Sequence, residues 1–172
     1  NKYYFLEMNT RIQVEHPVTE SITKLDLVEL QINYALNLNF NIMHQYSIKK
    51  SGHSIECRLY AEDPSKNFLP SPGKITKLRI PKLNNKVRLD IGVGEGDDIP
   101  FYYDPMIAKI ISIGVDREEA IEILINFLVK FKLEGINTNQ NFLIALLQNK
   151  AFKNASHNTK FIENNLNLLT KN

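Results

Sequence analysis

The period of the hydrophobic pattern changes once along this chain, near position 115, and that change limits the fold more than any other feature. From His53 to about Ile113 the signals are short strands between turns. His53, Ile55, Cys57 and Leu59 alternate with Ser54, Glu56, Arg58 and Tyr60, the pattern of a half-buried strand. Pro70, Pro72 and Gly73 punctuate before a further strand over 74–80, and 87–93 and 106–113 supply two more. After Val115 the period lengthens. Asp116, with Glu119 three residues later, reads as a capping box for a helix running to about Phe131, with Lys130 and Lys132 at its C-terminal end and Gly135 beyond. Thr138 is positioned to cap a second helix over 139–147. Strands first and helices last indicate an α+β fold, not a repeating βαβ one.

The segment before His53 reads differently. Residues 2–8 are aromatic and apolar enough for a strand. Pro17 is expected to break regular structure. Across 21–37 the apolar residues Leu27, Leu30 and Tyr34, followed by Leu38, recur at helical spacing, so one helix packing on a core is expected. Residues 39–50 show no period and are the expected connection between two structural units.

Length and composition narrow the function classes. The chain has 172 residues, enough for one domain with a core or for two incomplete ones. Hydrophobic residues make up 43% and charged residues 23%, which places it among globular and not disordered proteins. Net charge is +2 with no Lys/Arg block, which argues against nucleic acid as the main partner. Apolar stretches are too short to cross a bilayer, so no membrane role is expected. The lone Cys57 excludes an internal disulfide and a Cys-based zinc cluster, and implies a reducing compartment: cytoplasm, or mitochondrial matrix in a eukaryote. Asn1 in place of an initiator Met, with no secretory pattern, points to a piece of something longer. Lysines number 16 and arginines only 5, so an arginine here marks a place that needs a planar, two-pronged donor.

Residues 6–16 read Leu-Glu-Met-Asn-Thr-Arg-Ile-Gln-Val-Glu-His. In extended chain Glu7, Asn9, Arg11, Gln13 and Glu15 share one side, with Leu6, Met8, Ile12 and Val14 on the other. Fully extended, that row spans roughly 26 Å, so a small substrate meets both ends only if the chain bends at Thr10 or on the approach to Pro17. A solvated strand face is the plainer reading. Against it, Asn is depleted in strands, and the only cation is an Arg where Lys is the common choice. Glu7 and Asn9 offer hard oxygen ligands suited to Mg²⁺ beside phosphate and water. Arg11 can hold a small planar oxyanion through two bonds. Glu15, close to such an anion, is placed to act as a general base. The spacing alone supports a Mg²⁺–phosphate or oxyanion site and nothing finer.

The stretch Glu7-Met-Asn-Thr-Arg-Ile-Gln-Val-Glu-His-Pro-Val-Thr-Glu20 closely resembles the signature of biotin carboxylases, which are ATP-grasp enzymes. Further resemblances follow in order: Gly52-His-Ser-Ile-Glu-Cys-Arg-Leu-Tyr-Ala-Glu-Asp-Pro64, Phe68-Leu-Pro-Ser-Pro-Gly-Lys74, Tyr102-Tyr-Asp-Pro-Met-Ile-Ala-Lys109, and Gly135-Ile-Asn-Thr-Asn139 with Phe142-Leu143. Other ATP-grasp ligases share only the short Glu-x-Asn element, so carbamoyl-phosphate and purine-pathway enzymes fit less well. The resemblance implies that residues 1–45 end an ATP-grasp domain and that 46–172 form the biotin carboxylase C-terminal domain, an antiparallel sheet with helices. It implies carboxylation of biotin with ATP and bicarbonate through carboxyphosphate, which breaks down to CO2 for transfer to N1′ of biotin on a carrier. Glu7 and Asn9 resemble the ligands of Mg²⁺ or Mn²⁺. Arg11, Gln13 and the backbone of Val14 resemble the bicarbonate cradle, Glu15 the base, and Arg58 the donor that stabilises the biotin enolate.

The resemblance further implies a biotin carboxyl carrier domain or protein, a carboxyltransferase subunit and a homodimer as partners, with Arg88 in the dimer region. It also implies that the N-terminal part of the enzyme is not in this chain, so the 172 residues alone are expected to be inactive. A non-catalytic assembly or dimerisation module derived from such an enzyme is the alternative; the presence of Arg11, Glu15 and Arg58 together favours the enzyme. Acetyl-, methylcrotonyl- and propionyl-CoA carboxylases are all compatible, because another domain chooses the acyl acceptor. Three features carry plainer readings. Gly92-Val-Gly94-Glu-Gly96 lacks the Lys-Ser/Thr of a phosphate loop and reads as a turn. The histidines lack metal-ligand spacing, and Cys57 should face the core, opposite Arg58.

Overall fold

The computed structural model describes residues 2–38 and 44–170. The chain divides into two compact units, Asn1–Ser51 and Gly52–Asn172.

In the first unit, residues 2–10 adopt no regular structure. The expected strand over 2–8 does not form, because no described strand lies beside it to supply the ladder hydrogen bonds a strand requires. Tyr3, Phe5 and Leu6 are all more than 80% exposed, so neither face is covered. The chain bends at Arg11 and turns at Val14–Glu15, next to the two places where a bend was expected. Helix α1, His16–Thr23, then begins with Pro17 in its first turn. Pro17 therefore starts regular structure instead of breaking it, since its fixed φ suits the first helical position and its missing N–H has no partner there to lose.

A single helix over 21–37 is likewise corrected to two. Lys24 takes a left-handed conformation, φ 64°, and ends α1. Asp26 accepts a hydrogen bond from Glu29 N at 2.8 Å and starts helix α2, Leu27–Ala35. The Glu20 carboxylate stitches the pair: it lies 3.0 Å from His16 Nδ1 and accepts a bond from Leu27 N at 2.9 Å. The expected connection falls partly on residues 39–43, outside the described residues; Gln45–Ser47 form a short 3-10 turn.

The second unit opens with strand β1, His53–Tyr60, followed by the short strands β2, Glu62–Asp63; β3, Leu69–Pro70; β4, Gly73–Lys74; and β5, Lys77–Arg79. The one strand expected over 74–80 is thus two short ones that pair elsewhere. Strand β6, Val87–Ile91, precedes β7, Asp98–Ile99, and β8, Met106–Gly114. Helix α3, Arg117–Lys130, strand β9, Lys132–Glu134, and helices α4, Gln140–Gln148, α5, Lys150–Lys153, and α6, Phe161–Leu169, complete it. Strands β1, β8 and β6 form an antiparallel sheet with β8 at its centre. The pairs β2–β3, β4–β7 and β5–β9 are also antiparallel. The fold is α+β, as the order of periods implies.

One face of the sheet and the inner faces of α3 and α4 make the core: Leu59, Ile110, Leu124, Leu128, Phe131 and Leu147 are buried together. Cys57 lies among them as a free thiol, as expected. Asp116 caps α3 by accepting from Glu119 N at 2.9 Å, while Glu119 reaches back to Val115 N, one residue earlier than a capping box requires. Gly135 has φ +107°, and a Cβ there would collide with the Lys74 carbonyl, so this close crossing needs glycine. Among the described residues no helix is long and apolar enough to cross a membrane.

Candidate active site

In the first unit the turn into α1 gathers three of the five residues of the polar row. Arg11, Gln13 and Glu15 line one cavity of about 520 Å³, together with His16, Thr19 and the apolar residues Ile12, Leu27 and Leu30. Glu15 stands at the N-terminal boundary of α1, where its carbonyl accepts from Val18 N at 3.1 Å and the positive end of the helix dipole lies. Val14 lies in the same turn. Arg11 donates from Nη1 to the Ile12 carbonyl at 3.3 Å and remains exposed. Glu7 and Asn9 lie in irregular, exposed chain and do not line the cavity. Among the described residues no three His, Cys, Asp or Glu side chains converge as a metal cluster. The carboxylate and amide oxygens of Glu7 and Asn9 are still a donor set that suits Mg²⁺, which takes one or two protein ligands and fills its remaining positions with phosphate and water.

In the second unit Arg58 projects from β1 on the face opposite the core. That face is a charged lattice set by the register: Arg58 stands opposite Lys109 on β8, and Lys109 opposite Asp90 on β6. Glu56, two residues before Arg58 on the same side, is nearly buried, with its Oε1 3.9 Å from Arg58 Nε. Two cations directly opposite each other destabilise a sheet unless carboxylates compensate. Here Asp90 does so from one side, 3.3 Å from Lys109 Nζ, and Glu56 from the other. Burial raises the Asp90 carboxyl, but the hydrogen bonds and charges of Arg88 and Lys109 outweigh it and hold Asp90 below the usual carboxylate range. A guanidinium held on such a rigid strand can stabilise an oxyanion that forms beside it.

Arg58 is also tied from behind, by a residue that ends the Gly135–Asn139 motif and to which the sequence alone assigns no role. The buried Asn139 side chain donates to the Arg58 carbonyl at 3.1 Å and accepts from Tyr60 N at 2.9 Å. Sequence reasoning gave Thr138 the capping role at α4. Its hydroxyl does accept from Gln140 N, at 3.4 Å, but Asn139 is the boundary residue and spends its side chain on β1. The available signals were its place at the end of the Gly135–Asn139 motif and at a helix start, neither of which names its partner on β1.

The glycine-rich segment 92–96 keeps its plainer reading. Gly94–Asp97 is a tight turn in which Asp97 accepts from Gly94 N at 2.7 Å, with Gly96 at φ +95°. Asp104 accepts from Met106 N at 2.9 Å and closes a turn before β8. Burial, with the Asp104 charge nearby, pushes Glu62 above the usual carboxylate range. A second cavity, of about 420 Å³, lies among residues such as Phe131, Ile136 and Asn141 and is lined by none of the expected site residues.

The family model of the biotin carboxylase C-terminal domain matches residues 56–164, and that of the carbamoyl-phosphate synthase L chain ATP-binding domain matches 1–43. Biotin carboxylase 1 of Bacillus subtilis is 48% identical over 162 residues, covering 94% of this chain and 36% of that protein. The mitochondrial methylcrotonoyl-CoA carboxylase subunit alpha of Dictyostelium discoideum is 45% identical over 162 residues, covering 94% of this chain and 23% of that one. Among solved structures, the biotin carboxylase domain dimer of Hydrogenobacter thermophilus 2-oxoglutarate carboxylase, in complex with MgADP, ADP and bicarbonate, superposes with a TM-score of 0.92 at 37% identity, covering 98% of this chain and 37% of that one. The chain therefore spans about a third or less of the length of these relatives.

Proposed function

The chain belongs to the biotin carboxylase C-terminal domain family, and on that premise we propose that it forms the C-terminal part of an enzyme that carboxylates carrier-bound biotin with MgATP and bicarbonate. The observation that carries this reading is the convergence of Arg11, Gln13 and Glu15 on one cavity at the turn into α1. A guanidinium, an amide and a carboxylate together suit bicarbonate: two hold a planar anion and the third removes its proton. In this reading residues 1–45 close an ATP-grasp domain and 46–172 form the C-terminal domain. The family matches at 1–43 and 56–164 support that division.

Each residue has one task. Arg11, Gln13 and the Val14 backbone orient bicarbonate, and Glu15 takes its proton so that an oxygen can attack the terminal phosphoryl group of ATP. Glu7 and Asn9 hold the metal, which when bound neutralises phosphate charge. Carboxyphosphate breaks down to CO2 and phosphate. The released phosphate takes the N1′ proton of biotin, and Arg58 stabilises the negative charge that builds on the ureido oxygen as N1′ attacks CO2. The partners in this reading are a biotin carrier, a carboxyltransferase and a second copy of the enzyme. The compartment is the cytoplasm or the mitochondrial matrix.

The test is a hybrid in which this chain replaces the matching part of the Bacillus subtilis biotin carboxylase. The hybrid is expected to fix labelled bicarbonate onto free biotin in the presence of MgATP, and the 172-residue chain alone to fix none. A folded hybrid without activity, or turnover by the chain alone, overturns the proposal.

A further inference from the structure

We infer that Asn139 is a positioning residue for Arg58, fixing the strand end from which the guanidinium projects; the inference rests on the assignment of Arg58 to the biotin step. Among the described residues, strand β1 is an edge strand, with only β8 beside it. Alternate residues of an edge strand turn their N–H and C=O groups away from the sheet. At the end of β1 these outward groups include the Arg58 carbonyl and both polar groups of Tyr60. Asn139 meets all three. Its Nδ2 donates to Arg58 O at 3.1 Å, its Oδ1 accepts from Tyr60 N at 2.9 Å, and its own backbone N–H donates to Tyr60 O at 3.2 Å.

A carboxamide carries a donor and an acceptor on one planar group, as a peptide unit does, so one side chain stands in for a neighbouring strand. It does so where β8 lets go. The β1–β8 register slips between Leu59, opposite Ala108, and Tyr60, opposite Met106. Asn139 is itself anchored. Its carbonyl accepts from Leu143 N at 2.9 Å, and the next side chain, Gln140, donates to Leu128 O at 2.7 Å and Phe131 O at 3.0 Å at the end of α3. At 6% exposure, water cannot replace bonds lost at Asn139. The backbone of Arg58 thus owes its place to β8 on one side and to the start of α4 on the other. Catalytic groups tolerate little displacement, and an error of about 1 Å costs on the order of 100-fold in rate.

Substitution Asn139→Asp keeps size and the bond from Tyr60 N but sets a carboxylate oxygen against the Arg58 carbonyl. Asn139→Ser keeps a good helix-boundary residue but cannot span both groups, and serves if the first variant fails to fold. Both are made in the hybrid enzyme, alone and combined with Arg58→Ala, and read as kcat for biotin carboxylation, KM for ATP and for bicarbonate, and thermal midpoint. The inference predicts that kcat falls on the order of tenfold or more, that both KM values hold, and that the double variant is no slower than Arg58→Ala. Asn139 and Arg58 effects that multiply, or a kcat that is unchanged in folded Asn139 variants, overturn the positioning role. If Arg58→Ala by itself leaves carboxylation intact, the assignment of Arg58 is what fails.

Discussion

The Asp90 carboxylate grips the Arg88 guanidinium in two places, 2.8 Å from Nε to Oδ1 and 3.0 Å from Nη2 to Oδ2. The same carboxylate faces Lys109, so one acid balances two bases on the sheet face that carries Arg58. Its carboxyl is held below the ordinary range, and the sign of the pH effect follows. A depressed carboxyl stabilises the fold above its unfolded value, about 3.9, and that contribution is lost as pH falls through the lower folded value. Thermal midpoints of the chain and of Asp90→Asn, measured between pH 7 and pH 3, should converge toward the acid end. A gap that stays constant over that range would show that Asp90 is not ionically coupled.

Cys57 gives a chemical probe of the core. Burial, with the adjacent Glu56 charge, pushes its thiol up to about 12. The thiolate is the reactive form. Alkylation at pH 8 should therefore be negligible in the native chain and rapid in denaturant, as counted by mass spectrometry.

Gly135→Ala should be among the most damaging single-methyl changes. It forces a side chain into a positive-φ position, which costs about 1–3 kcal/mol by itself, and drives the Cβ into the Lys74 carbonyl. Urea unfolding should show a loss at or above that range. A loss below about 0.5 kcal/mol would mean that the 74–76 crossing relaxes freely.

Leu124→Ala tests whether the sheet and α3 share one core. Leu124 is fully buried, and leucine-to-alanine truncation at such sites costs about 2–5 kcal/mol. The same unfolding experiment reads it.

The second unit was largely legible because β1 alternates from Ile55 onward. Ile55, Cys57 and Leu59 face inward and Glu56, Arg58 and Tyr60 do not, as the period of two requires. Asp116 announced α3 by local chemistry alone. The first unit was less legible for two physical reasons. Pro17 can end or begin a helix, and sequence spacing does not say which. Residues 2–8 have strand propensity, but propensity forms no ladder without a partner. Tertiary pairings were hidden for another reason. Asn139 lies 81 positions from Arg58, and Asp90 meets Lys109 only through the sheet register, so no local pattern encodes either contact.

The division of labour between Glu15 and Arg58 is tested most directly by the carboxybiotin formed per ATP cleaved, measured in the hybrid enzyme with labelled bicarbonate. Glu15→Gln should lower ATP cleavage and carboxybiotin together, by about 10²–10⁴-fold. Arg58→Ala should lower carboxybiotin more than ATP cleavage, so that the ratio falls. An unchanged ratio in Arg58→Ala, or a Glu15→Gln hybrid that turns over like its parent, would contradict the account.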